Sequence, residues 1–309
     1  MPSSGIEHES IEKALVNDLE FSLKRNQKPF VIKSVYFGGG TPSLARPQLI
    51  STVLETIARC ATMEGGVEVT LEANPTEAAS LEAFRDAGVD RVSLGVQSLS
   101  VIDLRFMGRD HSVRQSLVAI EAAKKVFRNV SLDFISARPG QTVLKWSREL
   151  EDIVALDPNH LSIYQLTVER GTPLFSLVQE GKVVIPDNEL LADLFEYTQD
   201  YLSSNGFEQY EVSSYSRDGD SRSIHNQNYW KGLSYIGVGP GAHGRVRHSD
   251  GTATRTYRIN DPKEWISQCL SAGNGIRRVV GVSQKDMNNV IIRCFLVCWI
   301  ASLNPYTRN

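Results

Sequence analysis

The stretch Val31-Ile-Lys-Ser-Val-Tyr-Phe-Gly-Gly-Gly-Thr-Pro42 decides how the rest of the chain is read. A β-branched and aromatic run stops on three glycines, a threonine and a proline. The run predicts a buried parallel strand, and the glycines a turn where backbone can approach a ligand closely. Three consecutive glycines cannot be helix interior. Neither Gly-Lys-Ser/Thr nor Gly-x-Gly-x-x-Gly follows, so nothing marks the turn as a phosphate loop.

Outward from this strand the chain alternates. Upstream, Ile11, Ala14, Leu15, Leu19 and Leu23 fall at helical spacing and predict an amphipathic helix over 6–25. A repeating strand-then-helix domain ordinarily opens on a strand, so this start is unusual. Downstream, a helix over 47–60 carries Leu49, Ile50, Val53, Leu54 and Ile57 on one side, with Pro47 suited to its first turn. Further strands are expected at 67–71, 91–96, 130–135 and 161–166, separated by helices over 77–87, 100–107, 112–127 and 143–155. That rhythm is the signature of a parallel α/β fold, and right-handed crossovers in one direction curl it into part of a barrel. Beyond 166 the rhythm changes. A loop through Gly171-Thr-Pro173 precedes a helix over 187–205, a short strand at 209–213 and a polar loop at 214–223. Then come His225-Asn-Gln-Asn-Tyr-Trp230, the glycine-rich Tyr235–Gly244, and a polar segment 245–262 that reads as a loop or a pair of edge strands.

Composition bounds the function. The 309 residues, 41% hydrophobic and 22% charged, can bury a sizeable core in one large domain or two. A net charge of −3 and a pI near 6.1 give no reason to expect a nucleic-acid partner. Cys60, Cys269, Cys294 and Cys298 are too few for a disulfide scaffold. Met1 to Glu12 has neither the basic region nor the apolar core of a signal peptide, and no Arg-rich transit peptide is visible. The apolar run Val290 to Leu303 is interrupted by Arg293 and is shorter than the roughly 18 to 20 residues of a membrane span.

In parallel α/β folds, ligands bind at the C-terminal ends of the strands. The polar residues expected there are Gly38 to Thr41, Glu72, Asn74, Gln97 and Asp133. Glu72 is also suited to capping the next helix, Gln97 to a solvated loop, and Arg109 to the surface. Asp133 is the sharpest of them, because it breaks an apolar strand and a carboxylate there needs a partner or a ligand. Carboxylates and a glutamine beside glycine amides suit a ribose diol and an ammonium group, and Arg109 suits a carboxylate. A nucleoside joined to an amino acid has all three.

At this point the chain resembles a family. Gly38-Gly-Gly-Thr-Pro42, Leu71-Glu-Ala-Asn-Pro75, Gly95-Val-Gln-Ser98, Gly108-Arg-Asp-His111 and Leu132-Asp133 resemble the radical S-adenosylmethionine enzymes, in the branch related to oxygen-independent coproporphyrinogen III oxidase. Tyr164–Pro173, Tyr210–Ser213, His225-Asn226 with Tyr229-Trp230, and Gly237–Gly244 are similar to the heme chaperone HemW and its animal mitochondrial counterpart. The resemblance covers about 7–275. It implies an α/β fold, an incomplete (β/α)6 TIM-like radical SAM barrel lacking its first strand, followed by a partial C-terminal α+β region. The implied domains are 1–180, 181–275 and a divergent tail 276–309. It implies that Gly39, Gly40, Thr41, Glu72, Gln97, Arg109 and Asp133 line an S-adenosylmethionine site. It also implies a [4Fe–4S] cofactor, heme as cargo, respiratory membrane proteins as recipients, and a mitochondrial location. Without a visible transit peptide, a cytoplasmic form is the alternative.

Two departures qualify these expectations. The family opens with a strand leading into Cys-x-x-x-Cys-x-x-Cys, and here the first cysteine is Cys60, within a predicted helix. The tail from Arg293 looks unrelated to the family's C-terminal region, which suggests a fragment, a splice form or an incomplete gene model. Ala137-Arg138 also stand where the family usually has Gly-Leu. Cys60 and Cys269 read as structural, and Cys294 with Cys298 supply only two ligands on one helical face. His225 and His243 are either loop residues or contacts for heme, whose iron accepts imidazole. The expected function is a heme chaperone of the radical SAM type. The alternatives are a coproporphyrinogen III oxidase-like enzyme and an inactive truncated isoform.

Overall fold

The structure, a computed structural model, describes residues 4–25 and 30–282. The readings at Val290 to Leu303, Cys294 and Cys298 lie outside the described residues. In chain order the elements are α1 (Ser4–Lys24), β1 (Val31–Phe37), α2 (Pro47–Cys60), β2 (Thr62–Ala73) and α3 (Leu81–Asp86). They continue with β3 (Arg91–Gln97), α4 (Val101–Phe106), α5 (Val113–Val126), β4 (Asn129–Ser136), α6 (Val143–Ala155) and β5 (His160–Gln165). Next are α7 (Pro173–Gln179), α8 (Asn188–Ser204), β6 (Glu208–Gln209), β7 (Ser214–Ser216) and α9 (Ile224–Trp230). The last are β8 (His243–Arg247), β9 (Ala253–Arg258), α10 (Pro262–Ala272) and β10 (Ile276–Val282). The fold is mixed α/β: a curled, mostly parallel half-barrel sheet with a separate antiparallel sheet near the C-terminus. Contacts divide the described residues into two compact units, one of those up to 73, 80–91 and 223–282, the other of 74–79 and 92–222.

In the first unit β1 pairs with β2 in parallel, Val35 opposite Val69 and Phe37 opposite Leu71. The register slips near the start, where Ile32 faces Met63 but Ser34 faces Glu68. Gly65-Gly66 lie inside β2 at this irregularity, so the strand begins before the expected 67. Leu15, Leu19 and Leu23 of α1 and Leu49 and Ile57 of α2 form an apolar cluster with Val238, Ile259, Trp265 and Cys269. Each such side chain contributes roughly 1.5–3 kcal/mol when fully buried. A polar bolt crosses this cluster. Fully buried Asp18 accepts from Arg258 Nε at 3.0 Å, Trp265 Nε1 at 3.3 Å and the Gly275 amide at 3.3 Å. Segment 245–262 resolves as the second of its two readings, with β8 and β9 as an antiparallel pair and β10 on the other side of β9.

In the second unit β4 and β5 pair in parallel, Leu132 opposite Leu161 and Phe134 opposite Ile163. Antiparallel β7 then ends the parallel run by pairing with β5. β7 falls in a stretch expected to be a loop. Its polar letters misled, because Ser214, Tyr215 and Ser216 are all buried. α7 was likewise hidden in a predicted loop, although Pro173 at its first turn and the Thr172 side chain accepting from the Phe175 amide mark its start. The Ser112–Gln115 capping box starts α5.

Candidate functional site

Each unit carries a share of the strand-end residues. In the first, the glycine turn closes on Glu72 at the end of β2. The Gly39 amide donates to Glu72 Oε2 at 2.9 Å, and the Tyr36 hydroxyl donates to Glu72 Oε1 at 2.7 Å. Gly39 and Gly40 have φ of 81° and 65°, the left-handed region that favours glycine. Gly38 is required for space: a Cβ there would strike the Tyr36 ring and lie 2.8 Å from Glu72 Oε1. Burial pushes the Glu72 carboxyl above its ordinary range, against the lowering effect of its two donors. Thr41 caps a short 3-10 turn over Pro42–Leu44.

In the second unit β3 ends on Gln97, a non-glycine residue at φ 68°. Such backbone persists only where its surroundings enforce it. The enforcement is visible: Ser98 Oγ and the Leu99 amide donate to Glu149 Oε1 at 2.6 and 2.9 Å, and the buried Arg138 guanidinium pairs with the same carboxylate. His111 adds a bond of 3.1 Å between its Nε2 and the Val96 carbonyl. Arg109 is exposed just after α4, its guanidinium in no ion pair among the described residues. Half-buried Asp133 accepts from Ser93 Oγ at 2.8 Å and from Ser131 Oγ at 3.3 Å.

Sequence reasoning missed the residues that surround these carboxylates, yet a signal was present. Buried parallel strands ordinarily read as continuous apolar runs. Here they alternate: Val92-Ser-Leu, Val130-Ser-Leu-Asp-Phe and Leu161-Ser-Ile, and in the other unit Val67-Glu-Val-Thr-Leu-Glu72. Since side chains alternate sides, one face of β4 and β5 is polar, with Ser131, Asp133, His160 and Ser162 in cross-strand register. On β1 and β2, Ser34 faces Glu68 and Tyr36 faces Thr70 in the same way.

The two histidines are placed apart within the first unit. His225, on α9, stacks on Tyr36 at 4.1 Å between ring centroids and meets Tyr229 edge-on at 4.7 Å. Burial drives its pKa down to about 3, so its imidazole is neutral. It lines an apolar cavity of about 330 Å³ with Tyr36, Tyr229, Tyr235 and the apolar faces of α1 and α2. His243, at the start of β8, is exposed against Tyr257 and does not line that cavity. Cys60 is half-buried on α2, and burial pushes the Cys269 thiol up to about 12.

Known proteins resemble this chain in sequence and in fold. The model of the radical SAM superfamily matches residues 14–153. The mitochondrial radical S-adenosyl methionine domain-containing protein 1 of Danio rerio is 46% identical over 277 residues, 88% of this chain and 62% of its own. The heme chaperone HemW of Escherichia coli is 36% identical over 264 residues, 84% of this chain and 68% of its own. The structure of the Escherichia coli coproporphyrinogen III oxidase HemN superposes with a TM-score of 0.73 at 18% identity, over 92% of this chain and 67% of that one, a likeness of fold. The chain spans 62% to 65% of the length of the mitochondrial relatives from Danio rerio, Bos taurus and Mus musculus. On fold, motifs and identity together, this chain belongs to the radical SAM superfamily, among the relatives of HemW and of the mitochondrial radical S-adenosyl methionine domain-containing protein 1.

Proposed function

We propose that this chain serves as a heme chaperone, holding heme for transfer to respiratory membrane proteins in the mitochondrion, and that it recognises S-adenosylmethionine through its strand ends. The observation that carries the heme reading is the cavity beside His225. A neutral imidazole with a free lone pair is what heme iron accepts. Among the described residues its nitrogens take no hydrogen bond, and a pKa near 3 keeps protons from competing at neutral pH. Tyr36, Tyr229 and Tyr235 offer flat or edge-on contact for a macrocycle, and a volume of about 330 Å³ is that of a small-molecule site.

The polar strand ends fit S-adenosylmethionine by the chemistry of their donors and acceptors. Glu72 and Asp133 would accept from an ammonium or a ribose diol, Gln97 would offer its amide, Gly39, Gly40 and Thr41 would supply close backbone, and Arg109 would take a carboxylate. The described cysteines do not fit a [4Fe–4S] cluster: one is half-buried on a helix and the other is a buried thiol of raised pKa. Porphyrinogen oxidation is the weaker reading, because the likeness to HemN is one of fold at 18% identity. We also take 1–180, 181–275 and 276–309 as the domain division of the family resemblance.

Heme titration tests the reading. The wild-type chain is expected to give a saturable Soret shift that His225→Ala abolishes and His243→Ala leaves. Absence of a shift, or one indifferent to His225, would overturn it.

A further inference from the structure

A chain of hydrogen bonds leads away from Asp133 through buried groups of the second unit. Ser131 Oγ lies 3.3 Å from Asp133 Oδ1 and 2.6 Å from His160 Nδ1, and His160 Nε2 lies 2.7 Å from the Tyr210 hydroxyl. Ser131 and His160 are each 2% exposed, while Tyr210 is half-buried. Strand register brings these residues together, because Ser131 faces His160 across β4 and β5 and Asp133 follows Ser131 on the same face.

One donor order gives Asp133 the Ser131 hydroxyl as well as that of Ser93. An ionised carboxylate only accepts, so Ser131 Oγ–H donates to Asp133. The Ser131 oxygen then accepts from His160 Nδ1–H, which leaves Nε2 as an acceptor for the Tyr210 O–H. Every link donates toward the carboxylate, and each polarises the next. The opposite order would turn the Ser131 hydroxyl toward His160 and take a donor from Asp133.

We propose that Tyr210, His160 and Ser131 are positioning residues: a directional relay that keeps Asp133 an oriented acceptor for a ribose diol. This rests on the reading of Asp133 as part of the S-adenosylmethionine site. The relay sets which way the Ser131 hydroxyl points, and with Ser93 it holds the Asp133 carboxylate. The carboxylate plane is then fixed in one orientation. Tyr210 is the link that sequence alone never connects with Asp133, since they lie on different elements and meet only through His160.

Two measurements on the purified chain test the relay. Long-range proton–nitrogen spectra of His160 are expected to show Nδ1 protonated and Nε2 bare, with the tautomer becoming mixed in Tyr210→Phe. Titration calorimetry with S-adenosylhomocysteine is expected to show about a 10-fold loss for Asp133→Asn, the scale of a hydrogen bond to a charged group. It is expected to show a smaller loss for Tyr210→Phe that vanishes in the Asp133→Asn background. An Nε2–H tautomer in the wild type, or fully additive losses in the double variant, would overturn the relay and leave a merely structural network. An Asp133→Asn variant that binds as well as wild type would instead sink the ribose reading, and the spectra would still decide the relay.

Discussion

At the scale of single residues, two side chains make the clearest predictions. Gly38 opens the glycine turn of the stretch that organises the chain, and its missing side chain is what lets Tyr36 and Glu72 meet. Gly38→Ala is expected to cost about 1–3 kcal/mol by overpacking, read as a lower urea midpoint at unchanged m-value. His225 makes stability depend on pH. Its folded pKa, about 3, lies below the ordinary 6.5, so the unfolded chain takes up a proton that the folded chain refuses. Stability is therefore lost as pH falls below 6.5, by on the order of 1 kcal/mol per unit until about pH 3. Buried Glu68 and Glu72 have raised pKa values and act oppositely, losing stability as pH rises through their range. The difference between wild type and His225→Gln cancels their effect. A urea midpoint that falls between pH 7 and pH 5 as steeply in His225→Gln as in wild type would contradict the assignment.

At the scale of elements, α6 holds the loop that follows β3. Its Glu149 accepts from Ser98 Oγ and the Leu99 amide and pairs with Arg138, whose Nη1 also lies 3.4 Å from Asp103. Arg138 is 2% exposed, so removing its partner strands a buried charge. Glu149→Gln is expected to cost about 3 kcal/mol, with faster amide exchange at Leu99 and Ser100. Replacing both Arg138 and Glu149 by leucine should cost less in global stability, while exchange at that loop stays fast. Equal protection of the loop in Glu149→Gln and wild type would count against this support. In the sequence Arg138 stood out only as a departure from a family pattern. Its role was not legible, because Glu149 lies a helix away and meets it only once α6 has folded back.

At the scale of the whole molecule, the groups whose pKa is shifted by desolvation are unevenly shared. Glu68, Glu72, Asp90 and His225 all belong to the first unit. Among the described residues each unit also holds one deeply buried tryptophan, Trp265 in the first and Trp146 in the second. Variants that keep one of these two as the reporter are expected to show the Trp265 transition falling further in urea between pH 7 and pH 5 with His225 present than in a His225→Gln background, and the Trp146 transition behaving alike in both backgrounds. Coincident transitions at both pH values would show a single cooperative unit instead. Among the described residues no helix is long and apolar enough to cross a membrane.

The sequence by itself determined the local periodicities: strand and helix positions through β5, the glycine turn, and the motifs that place the chain in its family. These are legible because spacing by two, three or four residues is set by backbone geometry alone. It also held the alternation of serines with aliphatic residues, whose meaning emerges only when the strands are side by side. Tertiary structure alone decided the partners. Glu72 closes on Gly39, which is 33 residues away, Ser131 meets His160 across 29, and His225 donates its amide to Glu68 across 157. Those meetings depend on strand register and on where each helix returns the chain. It also decided that β7 is a strand, since a run of serines is polar in composition and becomes a buried strand only when another strand takes its backbone hydrogen bonds.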